Sequence, residues 1–131
     1  MSIELWMLAY SVLLLFALVM VQALAGVLAQ GLGVMAGARD ELPPPQRFQA
    51  RAGRVVDNHR EGLALFAPLV LAAALAHVSS PWTVLGAQLF FYGRVVHALL
   101  YLAGVPWVRP AAWAVGIVGT AMIFVSLVGW V

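Results

Sequence analysis

Arg47, Arg51, Arg54, Asn58 and Glu61 follow one another at spacings of four, three, four and three residues. Those separations bring side chains onto one face of an α-helix. A single stripe therefore carries three guanidiniums, one amide and one carboxylate. Guanidiniums bind carboxylates through paired hydrogen bonds and stay charged at neutral pH. A solvated helix drawn to anionic lipid is the plainest alternative. It suits Arg47 and Arg60, but it gives no reason for the carboxylate of Glu61 at the deep end of the stripe. A second group, Arg94, His97 and Tyr101, stands at i, i+3 and i+7 within an otherwise apolar run. Arg94 comes 13 residues after Pro81, about 20 Å along a helix. An arginine so far inside an apolar helix costs several kcal/mol unless paired or hydrated, and such residues mark functional positions. Glu61, entering from the same side, is its expected ion-pair partner.

Composition says what kind of protein must hold these groups. The 131 residues are 64% hydrophobic and 9% charged, with a mean hydropathy of +0.99. Soluble domains carry about a quarter charged residues, so an ordinary cytosolic domain, a disordered chain and a coiled coil are all excluded. The net charge is only +2, too sparse a basic field for a nucleic-acid partner. Cysteine is absent, which removes disulfides, thiolate metal sites and a cysteine nucleophile. The three histidines show no paired metal-ligand spacing, so no metal is expected. What remains is an integral, multi-pass membrane protein.

Four stretches are long and apolar enough to span a bilayer: about 5–38, 62–78, 81–104 and 110–131. The second extends back along the charged stripe to Gln46, just after Pro43-Pro44-Pro45, a run that cannot be helical in its middle. The links at Ser79-Ser80-Pro81 and 103–109 are short, so neighbours are antiparallel. The fold expected is an all-α, up-down four-helix bundle in one domain. Five of the seven arginines lie in 39–61 and Arg109 lies in the last connection. Basic loops favour the cytoplasm, so that end is expected inside and both termini outside. No basic leader precedes the first stretch, which is read as retained. Small residues recur at spacing four in the first helix (Gly33, Gly37) and the last (Ala112, Gly116, Thr120), a pattern that lets helices approach closely. Trp6, Trp82, Trp107 and Trp130 fall near helix ends, where an aromatic belt belongs. His77 and Gln88 read as interfacial groups.

Two runs carry a family resemblance. Arg51-Ala-Gly-Arg54-Val-Val-Asp-Asn58-His-Arg-Glu61, followed by Phe66-Ala-Pro-Leu69, resembles the helix-2 signature of the MAPEG superfamily, membrane-associated proteins in eicosanoid and glutathione metabolism. Arg94-Val-Val-His97-Ala-Leu-Leu-Tyr101, with Arg109 after the turn, is similar to its helix-3 signature. The resemblance covers roughly 39–131 and implies a homotrimer with glutathione, as co-substrate, between adjacent subunits near the cytosolic side. By position it makes Arg51, Arg54, Asn58 and Glu61 glutathione contacts on helix 2. On helix 3 it does the same for Arg94 and Tyr101, and His97, on the same face, is expected to join them in binding glutathione. After a one-residue adjustment in the turn, Arg109 matches the arginine that stabilises the glutathione thiolate, the catalytic role. Arg39 answers loosely to a basic residue at the end of helix 1. Gly62 departs from the pattern, standing where some members carry an aromatic residue.

The chemistry implied agrees with the residues. Glutathione offers two carboxylates to guanidiniums and an ammonium to Glu61. A cation beside a thiol favours the thiolate, which is the nucleophile. A lipophilic co-substrate would arrive from the bilayer. The leading expectation is thus a glutathione transferase or peroxidase for lipophilic electrophiles or lipid hydroperoxides, in a bacterial inner membrane with its site facing the cytoplasm. The alternative is a non-catalytic lipid-binding or scaffold protein on the same bundle. A proton-coupled efflux protein fits least, because the first helix has no carboxylate after Glu4 and Glu61 sits among arginines.

Overall fold

The computed structural model describes residues 1–45 and 47–129, and among them the chain forms five α-helices and no strand. Helix α1 is Ile3–Gln30, α2 Leu32–Ala36, α3 Arg47–Leu75, α4 Pro81–Ala103 and α5 Arg109–Leu127. Three of them, α1, α4 and α5, are long and apolar enough to cross a membrane.

Local sequence explains most of the boundaries. Ser2 caps α1 by accepting from the Leu5 amide. The single helix expected over 5–38 is instead broken at Gly31, whose φ of +91° is open to glycine and strained for other residues. The chain restarts there as the short α2, which makes five helices rather than four. Helix α3 begins after the proline run and ends at Leu75 in a double hydrogen-bonded cap. Val78 N–H bonds the Ala73 carbonyl at 2.9 Å and His77 N–H the Ala74 carbonyl at 3.2 Å, with His77 in the left-handed conformation (φ 55°). Ser80 and Thr83 form a capping box at the start of α4, with Pro81 in its first turn. Gly104, at φ 77°, closes α4. Helix α5 ends at Leu127. Trp130 and the last residue of the expected fourth span lie outside the described residues, as does Gln46.

Helix α3 differs from the other long helices. Its apolar part, from Gly62 to Leu75, gives only about 20 Å of helix, short of the roughly 30 Å hydrocarbon layer. Its first half carries the charged stripe.

The tightest packing is between α4 and α5, and glycines permit it. A Cβ added at Gly119 would meet the Phe90 amide nitrogen at 2.7 Å, and one at Gly93 the Gly116 nitrogen at 3.1 Å. Backbone therefore touches backbone along this contact. Ala112, Gly116 and Thr120, the small-residue row of the last helix, are all buried. Gly33 and Gly37 are exposed, and a Cβ at Gly33 would meet nothing within 4 Å. Among the described residues, the row expected in the first helix makes no comparable contact. Phe66 of α3 and Phe90 of α4 stack at 3.8 Å between ring centroids, and Met7, Val70 and Ile123 close around them. Leu13, Phe16, Leu24 and Leu28 of α1 and Leu99 of α4 remain exposed on the outer faces, as lipid contact requires.

Candidate functional site

Tyr101, in the last turn of α4, gathers three of the expected residues, Arg54, His97 and Arg109, around its side chain. Arg54 Nε donates to its hydroxyl at 3.2 Å. The Arg109 guanidinium, at the first residue of α5, lies 4.4 Å from the ring centroid. His97, one turn earlier on α4, meets the ring edge-on at 5.5 Å. Arg51 Nε donates to the Leu102 carbonyl at 3.2 Å. It thereby satisfies a carbonyl at the C-terminal end of α4 and places a cation at that helix's negative pole. Gly104 lies beside it, its positive φ of 77° the reason for glycine there. The antiparallel run of α3 and α4 makes this meeting possible: the start of one helix faces the end of the other.

Arg94 forms a deeper layer, one turn before His97. It is 2% exposed. Its Nε donates to His59 Nδ1 at 3.3 Å, one terminal nitrogen donates to the Asn58 carbonyl, and the guanidinium lies over the Phe90 ring at 5.8 Å. Two glycines make the slot. A Cβ at Gly62 would lie 2.9 Å from Arg94 Nη2, and one at Gly116 would lie 3.1 Å from its Cδ. The aromatic residue that some relatives carry at the Gly62 position has no room here with Arg94 in this pose.

The expected ion pair between Arg94 and Glu61 is not formed. Among the described residues the salt bridge present is Arg60–Asp57, at 3.3 Å. Glu61 is exposed and acts on Arg94 only through space. The reason is angular. Arg94 enters α3 on the face of His59 and Gly62, and Glu61 projects about 100° round the helix from Gly62. Asn58 lies between the two arrangements. Its carbonyl serves Arg94, while its side-chain Oδ1 is buried with no hydrogen-bond partner.

Arg51, Arg54, His97, Tyr101 and Arg109 thus form one connected cluster. Arg94 and Asn58 meet beneath it, and Glu61 stands at its edge. The spacing argument missed His59, Gly62 and Gly116 as parts of the site. His59 had a visible signal: it is the polar member of the buried row Val55, His59, Gly62, Phe66. Beside the cluster, an apolar groove of about 470 Å³ runs between α1 and the start of α3, lined by Val21, Leu24, Leu28 and Phe48 with Arg47 at its edge. Phe48 links the two, since the Arg51 guanidinium lies 5.9 Å from its ring centroid.

Three guanidiniums, Arg51, Arg54 and Arg109, therefore meet at the end of α4 and Arg94 lies beneath them, with no carboxylate in ion-pair contact among the described residues. They are held by the Tyr101 ring and hydroxyl, by carbonyls and by an imidazole, which neutralise none of the charge. Such a cluster favours an anion. Set against known protein families, the chain matches the MAPEG family over residues 7–129, a match that contains both signature runs. Searches of curated proteins and of solved structures found no match. The chain is a membrane protein and belongs to the MAPEG family.

Proposed function

We propose that the protein is a membrane-bound glutathione transferase or peroxidase acting on lipophilic electrophiles or lipid hydroperoxides. The observation that carries this reading is the gathering of three guanidiniums at the end of α4, with that of Arg94 beneath them, none with a contacting carboxylate among the described residues. Family membership supports a role connected with glutathione or eicosanoids. Glutathione fits the residues present. Its two carboxylates suit Arg51, Arg54 and Arg94, its ammonium suits the exposed carboxylate of Glu61, and an amide N–H suits the orphaned Asn58 Oδ1. Tyr101 holds Arg54 and Arg109, and His97 packs against its ring.

Arg109 is the catalytic residue in this reading. A guanidinium cannot take up the thiol proton at neutral pH, so the proton leaves to water and Arg109 stabilises the thiolate that remains. The thiolate sulfur then forms a bond to the electrophilic carbon, and the leaving group departs with its electron pair. With a hydroperoxide, sulfur attacks the O–O bond, giving the alcohol and a glutathione sulfenic acid. A second glutathione reduces that acid to disulfide and water. The apolar groove that shares Phe48 with the cluster gives the lipophilic partner, or a lipid, a place beside the site.

The assembly proposed is a homotrimer of up-down bundles in which α1, α3, α4 and α5 cross a bacterial inner membrane. The arginine-bearing end faces the cytoplasm and both termini face outward. The test is conjugation of glutathione to an aryl halide, and reduction of a lipid hydroperoxide, by detergent-purified protein. Turnover supports the enzyme. Glutathione binding without turnover of either substrate would replace it with the non-catalytic lipid-binding or scaffold reading.

A further inference from the structure

We propose that His59 is a positioning residue of this site, a neutral imidazole of fixed tautomer that holds the buried Arg94 guanidinium in its binding pose. The role rests on the glutathione-binding reading, and the tautomer stands independently of it.

Hydrogen-bond chemistry determines the tautomer. The guanidinium nitrogens of arginine donate and cannot accept. Because Arg94 Nε meets His59 Nδ1 at 3.3 Å, Nδ1 carries no proton. On the other side of the ring, Nε2 stands 2.8 Å from the backbone carbonyl of Ser11, which can only accept. Nε2 therefore carries the proton and donates. The imidazole is neutral, with both nitrogens used: one by α1, one by α4. The ring is 2% exposed and stacks on Phe90 with centroids 6.4 Å apart. Neither its plane nor its tautomer has an alternative partner in view.

The consequence falls on Arg94. With Nε bound to His59 and Nη2 bound to the Asn58 carbonyl, one edge of the guanidinium is occupied by fixed protein groups. Nη1 is left as the nitrogen without a partner among the described residues. Gly62 and Gly116 open the slot but supply no hydrogen bonds. The imidazole and the Asn58 carbonyl are what select one pose within it. A histidine buried only for packing would need any two partners of either polarity. This one accepts from a donor-only cation on one side and donates to a carbonyl on the other, so its two nitrogens are not interchangeable. Ser11, far from the arginine stripe in sequence, is thereby tied to the site through one ring.

The two ring nitrogens can be tested apart. In His59→Asn the amide oxygen can occupy the place of Nδ1 and accept from Arg94, while the bond to Ser11 is lost. In His59→Gln the longer amide reaches the place of Nε2 and can keep the Ser11 bond, while Arg94 loses its acceptor. His59→Phe keeps the stack on Phe90 and loses both bonds. Isothermal titration of glutathione into each purified protein gives the decisive order. The Asn variant is expected within about three-fold of wild type, and the Gln and Phe variants about ten-fold weaker or more, the effect of one charge-assisted hydrogen bond. Retention by Gln or Phe with loss in Asn would mean that the ring only packs α1 against α3, and would overturn the proposal. Nitrogen NMR of the wild-type histidine supplies a measurement that needs no variant to fold and no ligand to bind. A bare Nδ1 with a protonated Nε2 is expected, and a protonated Nδ1 overturns it. Wild-type protein that shows this tautomer yet takes up no glutathione would remove the proposed function and, with it, the positioning role.

Discussion

Replacing Glu61 by glutamine separates two arrangements that differ by a single contact. If Glu61 were the partner of buried Arg94, the change would strand a charge inside the helices and lower stability by about 3–5 kcal/mol. The geometry says otherwise. Glu61 is exposed, it makes no ion pair among the described residues, and Arg94 is held by His59 and the Asn58 carbonyl. An exposed charge of this kind contributes at most about 1 kcal/mol, which corresponds to a shift in Tm of about 4 °C or less. Binding should respond differently. A charge-assisted hydrogen bond from the glutathione ammonium is worth about 1.5–3 kcal/mol, so its loss should raise Kd about ten- to a hundred-fold. Thermal unfolding and isothermal titration on the same purified Glu61→Gln protein give both numbers. A Tm lowered by the larger amount, with glutathione affinity unchanged, would show that Glu61 serves Arg94 rather than the ligand.

Gly62→Ala should leave the fold intact while displacing Arg94, because the new methyl would lie 2.9 Å from the movable Nη2. Glutathione affinity should fall about ten-fold through the weakened charge-assisted bond to Asn58, and wild-type affinity by titration would refute the slot. Arg109→Ala should keep most of the affinity, because Arg51, Arg54 and Arg94 remain, but lose the thiolate. Removing a nearby cation raises the thiol pKa by about 1–3 units, so thiolate absorbance near neutral pH should weaken and the pH–rate profile move to higher pH, with turnover partly recovered in alkali. An unchanged profile would sink the catalytic assignment. A cysteine at Pro44 should react with an impermeant thiol reagent only from the cytoplasmic side, and labelling from outside would reverse the orientation.

What could be read in the sequence follows from which forces act locally. The limits of α4 are written in Ser80, Pro81 and Gly104, because capping and left-handed turns depend on a few adjacent residues. The meeting of Arg51, Arg54, His97, Tyr101 and Arg109 was legible too, since helical spacing places each on a face and short turns oppose the faces. The break at Gly31 was not. Glycine is tolerated inside apolar helices, and nothing near Gly31 in sequence distinguishes a tolerated glycine from one that takes positive φ. The partner of Arg94 was missed for a different reason. Opposite charges near each other in depth suggested Glu61, but which face of α3 receives Arg94 depends on the absence of side chains at Gly62 and Gly116. That is a property of packing between helices distant in sequence. His59 carried a signal, its place in the row Val55, His59, Gly62 and Phe66, but it was overshadowed by the charged stripe on the neighbouring face.

The claim on which the rest depends is that the converging guanidiniums bind carboxylates. Calorimetric titration of detergent-purified protein with glutathione, and in parallel with glutathione esterified at both carboxylates, measures it directly. Glutathione should saturate the site, and the diester should bind about a hundred-fold more weakly or not at all, since two charge-assisted contacts are lost. Equal affinity for the two, or no binding of glutathione at millimolar concentration by folded protein, would contradict it.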